Sequence, residues 1–141
     1  MKFSCCLFMT IVVFAGSANA VELRPIEVKT GTEGLINAPL SLANKGAEPM
    51  ACHADLAHWY STQLATVSPG TQSLVDLWFD PQDGTFSLLN DKQEQMAVES
   101  LWCGIDGRAY ETRAALLLDR SVVPAPRLVE CAADNGKMVC R

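Results

Sequence analysis

Short apolar runs alternate with polar residues along most of this chain, and the alternation has a period of two. In residues 24–30, Ile26 and Val28 fall on one side while Glu27 and Lys29 fall on the other. Leu40 and Leu42 alternate with Ser41 and Ala43 before Asn44-Lys45-Gly46 closes the run. Beyond a turn at Ser68-Pro69-Gly70, Val75, Leu77 and Phe79 form one face of residues 72–79. Asp80-Pro81-Gln82-Asp83-Gly84 then turns the chain into 85–90, where Phe86 and Leu88 stand together. Residues 96–104 and 108–119 flank Ile105-Asp106-Gly107 as a further hairpin. Such alternation buries one face of each strand and wets the other. Strands at this spacing, punctuated by Gly and Pro, predict an all-β antiparallel sandwich or barrel.

Residues 48–65 admit two readings. Cys52, Leu56, Trp59 and Leu64 lie close to helical spacing, behind Pro49 as a helix start. The exit into a Ser-Pro-Gly turn and the strand-like neighbours on both sides favour an extended run, which is the expectation. Residues 121–126 contain two prolines, Pro124 and Pro126 following at once in Val123-Pro124-Ala125-Pro126, and such a segment cannot join a ladder centrally. They read as a connector between a sandwich over 21–120 and a terminal hairpin over 127–141.

The register of that hairpin follows from counting. Asn135-Gly136 is the central pair that a two-residue type I′ turn favours, because both positions need positive φ. Asp134 then faces Lys137, Ala133 faces Met138, Ala132 faces Val139, and Cys131 faces Cys140. Alternation from the turn makes the cysteines a non-hydrogen-bonded pair, where side chains approach most closely. A disulfide closing so small a ring is worth about 2.5–3 kcal/mol in the chain-entropy model. It staples a hairpin that would be marginal alone. By elimination Cys52 pairs with Cys103, closing a longer loop worth about 4 kcal/mol. A disulfide between strands of a sandwich resembles the immunoglobulin type. Trp59 follows Cys52 too closely, however, and Leu101 stands where that family has Tyr, two residues before Cys103. The likeness therefore implies an immunoglobulin-like architecture and no specific family.

Residues 1–20 lie apart from this pattern. Lys2, an apolar run from Cys5 to Ala15, and the small-residue exit Ala18-Asn19-Ala20 have the form of a secretory signal peptide cleaved after Ala20. The run is short of the ~20 residues that a spanning helix needs. Val21, not Cys, follows the cleavage point, which excludes a lipid-anchored precursor. Cys5 and Cys6 leave with the leader, so the exported chain keeps four cysteines in an oxidising compartment, periplasmic or extracellular.

Sixteen acidic residues against eleven basic give a net charge of −5, and loss of Lys2 makes the exported chain more acidic still. With no Lys/Arg cluster, nucleic acid and anionic lipid are poor partners. No Asn-x-Ser/Thr sequon occurs.

The chemistry on offer is sparse. His53 and His58 are the only histidines, and their five-residue separation lets them share one metal on neither a strand nor a helix. His53 with Asp55 supplies two ligands of the four that a closed site needs, and Met50 and Met96 belong to no His/Met cluster. No Gly-x-Ser-x-Gly, His-Glu-x-x-His or Cys-x-x-Cys occurs, and the aspartates of residues 80–84 lack calcium-loop spacing. No metal, cofactor or catalytic residue is expected. Among Trp59, Tyr60, Trp78 and Trp102, Trp78 stands opposite the Val75/Leu77/Phe79 face, which makes it the candidate ligand contact, with core packing against the terminal hairpin as the other reading. The sequence thus reads as an exported, non-catalytic β-sandwich that binds another protein. The alternatives are a small hydrolase using His53 or His58, and a carbohydrate-binding module using exposed aromatics.

Overall fold

The structure, a computed structural model, describes residues 27–141. The expected signal peptide, its expected cleavage site and Ile26 lie outside these residues. Eleven strands and one short helix follow in chain order. They are β1 (Ile36–Asn37), β2 (Leu40–Asn44), β3 (Met50–Leu56), β4 (Tyr60–Val67), β5 (Gln72–Val75) and β6 (Trp78–Asp80), then β7 (Thr85–Leu89) and β8 (Gln95–Ile105). Helix α1 (Ala109–Thr112) precedes β9 (Ala114–Leu116), β10 (Arg127–Asp134) and β11 (Lys137–Cys140). The larger sheet runs β1-β6-β7-β8-β3-β4, with β9 also on β8, and the smaller runs β11-β10-β2-β5. Leu42, Val75, Val129 and Met138 from the small sheet meet Met50, Phe79, Leu101 and Ile105 from the large one in a single core. All-β, two-layered and mostly antiparallel, the architecture is the one that the alternation predicts. One pairing is parallel, β2 with β10.

The terminal hairpin has the counted register, Cys131 against Cys140 through Asp134 against Lys137. Asn135 and Gly136 have φ of 49° and 74°, as a type I′ turn requires. Both disulfides form with the expected partners, with Cα atoms 4.0 Å apart for Cys52–Cys103 and 4.1 Å for Cys131–Cys140. Cys52 and Cys103 are cross-strand neighbours on β3 and β8, so their bond lies within one sheet. The immunoglobulin bond bridges two sheets, so the disulfide departs from that plan. The hairpin is also more than an appendage: β10 and β11 supply half of the small sheet, and Val129, Cys131 and Met138 are buried.

Four segments differ locally from the strand pattern. Residues 48–65 are extended as expected, but they hold two strands, with the chain reversing at Ala57–Trp59. Residues 27–29 form no strand, Val28 is exposed, and Thr30 makes an isolated bridge to Glu94. The 72–79 run keeps Val75, Leu77 and Phe79 in the core but changes sheet between β5 and β6. Ala38 N–H donates to the Leu77 carbonyl at 2.8 Å, tying this crossing to the one between β1 and β2. In 108–119 a single helical turn precedes the returning strand. Thr112 stabilises it, its hydroxyl accepting from Ile105 N–H at 2.8 Å and donating to the Arg108 carbonyl at 2.9 Å.

Buried Asn44 closes the end of the sandwich. Its amide nitrogen donates to the carbonyls of Glu48 and Val67 at 2.8 and 2.9 Å, and its oxygen accepts from Gly46 N–H at 2.9 Å. A buried amide so fully partnered avoids the penalty of an unmet polar group. No helix among the described residues is long and apolar enough to cross a membrane.

Candidate functional site

The β3–β4 hairpin turns without Gly, Asn or Pro. Leu56 pairs with Tyr60, and between them His58 and Trp59 have φ of 67° and 68°. Left-handed backbone disfavours residues with a Cβ, and most of all bulky ones. Ala57 N–H, donating to the Ala97 carbonyl at 2.9 Å, anchors the base of the turn to β8. The outcome is a tip whose Trp59 is fully exposed (102%) and whose Tyr60 is 70% exposed.

Beside the tip lies an open groove of about 720 Å³. Leu56, Val28, Met96 and Tyr60 contribute apolar surface, while Asp83 and Glu94 stand among its carboxylates. Lys29 reaches Asp80 across the groove wall, with Nζ 3.5 Å from the carboxylate. His58 lines the same groove.

A second group of side chains occupies the outer face of the large sheet. His53 stacks on Trp102 with ring centroids 4.4 Å apart and planes 12° apart. Tyr110, on α1, meets Trp102 edge-on at 6.0 Å, and the Arg113 guanidinium sits 3.9 Å from the Tyr110 centroid. Gly104 makes this possible, because any Cβ there would collide with the Ala109 backbone and push α1 off β8. Asp55 accepts from Ser100 Oγ at 2.6 Å and from Trp102 Nε1 at 3.2 Å. The Ser100 bond, aided by Ser61, Trp102 and the Arg113 charge, outweighs desolvation and holds the Asp55 carboxyl below its ordinary value. Serine, histidine and aspartate are thus neighbours here, but in the wrong order for nucleophilic catalysis. Ser100 bonds directly to Asp55, whereas a triad needs the imidazole between nucleophile and carboxylate. Trp102 is only 9% exposed, so this group is a packed stack and not an open platform.

Trp78, the contact expected from the alternation, alternates with buried Phe79 as foreseen but is half-buried beside Ser87 and Asn37. Exposure belongs to Trp59 and Tyr60 instead. A signal for this was present in Ala57-His58-Trp59-Tyr60, an aromatic pair where the strand pattern loses its alternation. His53 and His58 are placed apart, one on the sheet face and one on the tip. Among the described residues, the one cluster of three metal-ligating side chains is Cys103, Cys131 and Cys140, all engaged in disulfides. The chain matches no protein-family model, no curated protein and no solved structure.

Proposed function

We propose that this protein is exported to the periplasm or beyond the cell, and that it acts there as a non-catalytic binding module for another protein. The observation that carries the reading is Trp59, fully exposed on left-handed backbone. Strain of this kind persists where the surroundings over-determine it, and it clusters at functional sites. Tryptophan and tyrosine are enriched at protein interfaces, where they supply most of the binding energy from few positions. The tip and the groove beside it offer such an anchor with an adjoining polar rim. Presenting contacts on a loop at the end of a sandwich is an immunoglobulin-like use of the fold. The two disulfides fit an oxidising compartment.

The hydrolase alternative lacks support in the hydrogen bonding of Asp55, which joins Ser100 without an imidazole between them. The carbohydrate alternative calls for coplanar exposed rings, and in the stacked pair, His53 on Trp102, the tryptophan is buried. Crosslinking of the tagged protein in its native host, with Trp59→Ala in parallel, tests the proposal. The expected result is a protein adduct with wild type that falls at least roughly tenfold in the variant at equal abundance. Equal adducts from both proteins reject the tip as the site, and glycan binding lost on Trp59→Ala favours the carbohydrate reading.

A further inference from the structure

One continuous stretch of the chain carries no charge. No Asp, Glu, Lys or Arg occurs between Asp55 and Asp76, although the chain as a whole has a net charge of −5. That stretch contains the tip, β4, the turn after it and β5, and β4 and β5 are the edge strands of the two sheets on one side of the sandwich. Edge strands in monomeric proteins are guarded by shortness, charge, proline or a covering segment. The other edges follow this rule. β1 has two residues, while β5 and β11 have four each, and β11 opens on Lys137. β4 has eight residues, without charge or proline, and Ser61, Gln63 and Thr66 are exposed. A bulge opposite His53, at Leu64, interrupts it and leaves Tyr60–Gln63 as the regular run.

The direction of the free backbone groups can be counted. Asp106 N–H donates to the Pro49 carbonyl at 2.9 Å, which makes those residues a bonded pair of the β3–β8 ladder. Alternation then makes His53/Trp102 and Asp55/Ser100 bonded pairs, so the amides of His53 and Asp55 point at β8. Their partners on the other side, Gln63 and Ser61, have N–H and C=O directed away from β3. Two residues apart, both point outward from the open edge.

We propose that β4 pairs antiparallel with β4 of a second copy, about a two-fold axis through Thr62. In this register Ser61 exchanges both backbone hydrogen bonds with Gln63 of the second copy, and the symmetry repeats the exchange. Thr62 meets its own counterpart on the axis, a favourable cross-strand pair. Tyr60 lies opposite Leu64 of the second copy, and the interface is isologous. Charge selects a second copy as the occupant. An acidic chain meets its like at least electrostatic cost through a strand that brings no carboxylate of its own, and β4 is such a strand; the nearest, Asp55, lies one strand inward and is engaged by Ser100 and Trp102. The two tips come to lie at opposite ends of the joined strands, so pairing would present Trp59 twice.

A strand-only contact is small, so dissociation on the order of micromolar is expected. Sedimentation velocity of the exported protein over a wide concentration range tests it, with amide exchange followed at the two extremes. The expected result is a concentration-dependent dimer in which the Ser61 and Gln63 amides become protected. Thr62→Lys, placing two ammonium groups on the axis, should weaken pairing at least roughly tenfold, and Thr62→Val should keep it. A wild type that stays monomeric throughout, a dimer indifferent to Thr62→Lys, or a dimer with unprotected Ser61 and Gln63 amides overturns the proposal. Should Thr62→Lys fail to fold, wild-type exchange decides alone. Trp59→Ala should leave the dimer intact, which separates this proposal from that of the binding tip.

Discussion

The sulfurs of Cys103 and Cys131 lie within 4.8 Å of each other without being bonded. They belong to opposite sheets, and the Cys140 sulfur lies within the same distance, so the two disulfides abut between the sheets. Thiol exchange needs this proximity and an attacking thiolate. Reduction by a dithiol should begin at Cys140, which is half-buried, while Cys52, Cys103 and Cys131 are buried. The thiolate released at Cys131 attacks Sγ of Cys103, and Cys52 departs as a thiolate. Peptide mapping should find Cys52–Cys103 and Cys131–Cys140 in untreated protein, and a Cys103–Cys131 crosslink after partial reduction. Absence of that crosslink while the first bond is half reduced would count against the exchange.

Removal of the staple should also be felt throughout the sandwich. Cys131→Ala with Cys140→Ala opens a ring worth about 2.5–3 kcal/mol in the chain-entropy model, and Cys52→Ala with Cys103→Ala one worth about 4 kcal/mol. Because β10 lies against β2, the smaller loss should lower the midpoint of global unfolding instead of loosening a tail alone. Urea titration followed by tryptophan fluorescence measures both.

Trp59→Gly separates stability from binding. Glycine tolerates the φ of 68° that tryptophan occupies under strain. The variant should be more stable by about 1 kcal/mol, raising Tm by about 4 °C for a domain of this size, while losing its partner. A lower Tm with binding preserved would contradict both the strain and the role of the tip.

Gly104→Ala should be among the most damaging single-methyl additions. Its Cβ would run into the backbone of Ala109, which is no flexible side chain. A loss of about 2 kcal/mol or more is expected, with displacement of α1. Near-ultraviolet dichroism reports the displacement through Trp102, whose ring Tyr110 meets edge-on. An unchanged spectrum and midpoint would refute the close packing of α1 on β8.

Acid should destabilise the fold partly through Asp55. Its folded carboxyl titrates below the ordinary value of 3.8, chiefly because Ser100 donates to the ionised form. The unfolded chain therefore takes up this proton at the higher pH. The stabilisation is complete above the ordinary value and is lost as pH falls through the lower, folded one. Asp83 and Asp119 act in the same direction, through Thr85 and Ser121. The urea midpoint should decline below about pH 5 in wild type and more gently in Asp55→Asn. Parallel declines would exclude Asp55 as a contributor.

Much of the fold was legible because local rules were strong where they applied. Asn135-Gly136 prescribes both the turn and the register of Cys131 with Cys140, and period-two alternation marks Val75, Leu77 and Phe79 as core. What escaped depends on partners remote in sequence. Nothing near Asp76 announces that the chain changes sheet there, since the core accepts residues from either side. The turn at His58-Trp59 carries none of the residues that make turns inexpensive, so only the lapse in alternation marks its position. Alternation points to Trp78 and not Trp59 because it reveals which way a side chain faces but not what lies over it.

The parallel contact of β2 with β10 has a temporal meaning. Residues 40–44 have no neighbour on that flank until residues 127–131 arrive, and Val129 is buried among the last pieces of the core. Loop closure over so long a span slows folding. During synthesis the nascent polypeptide must keep its small sheet half built until its final strands have emerged.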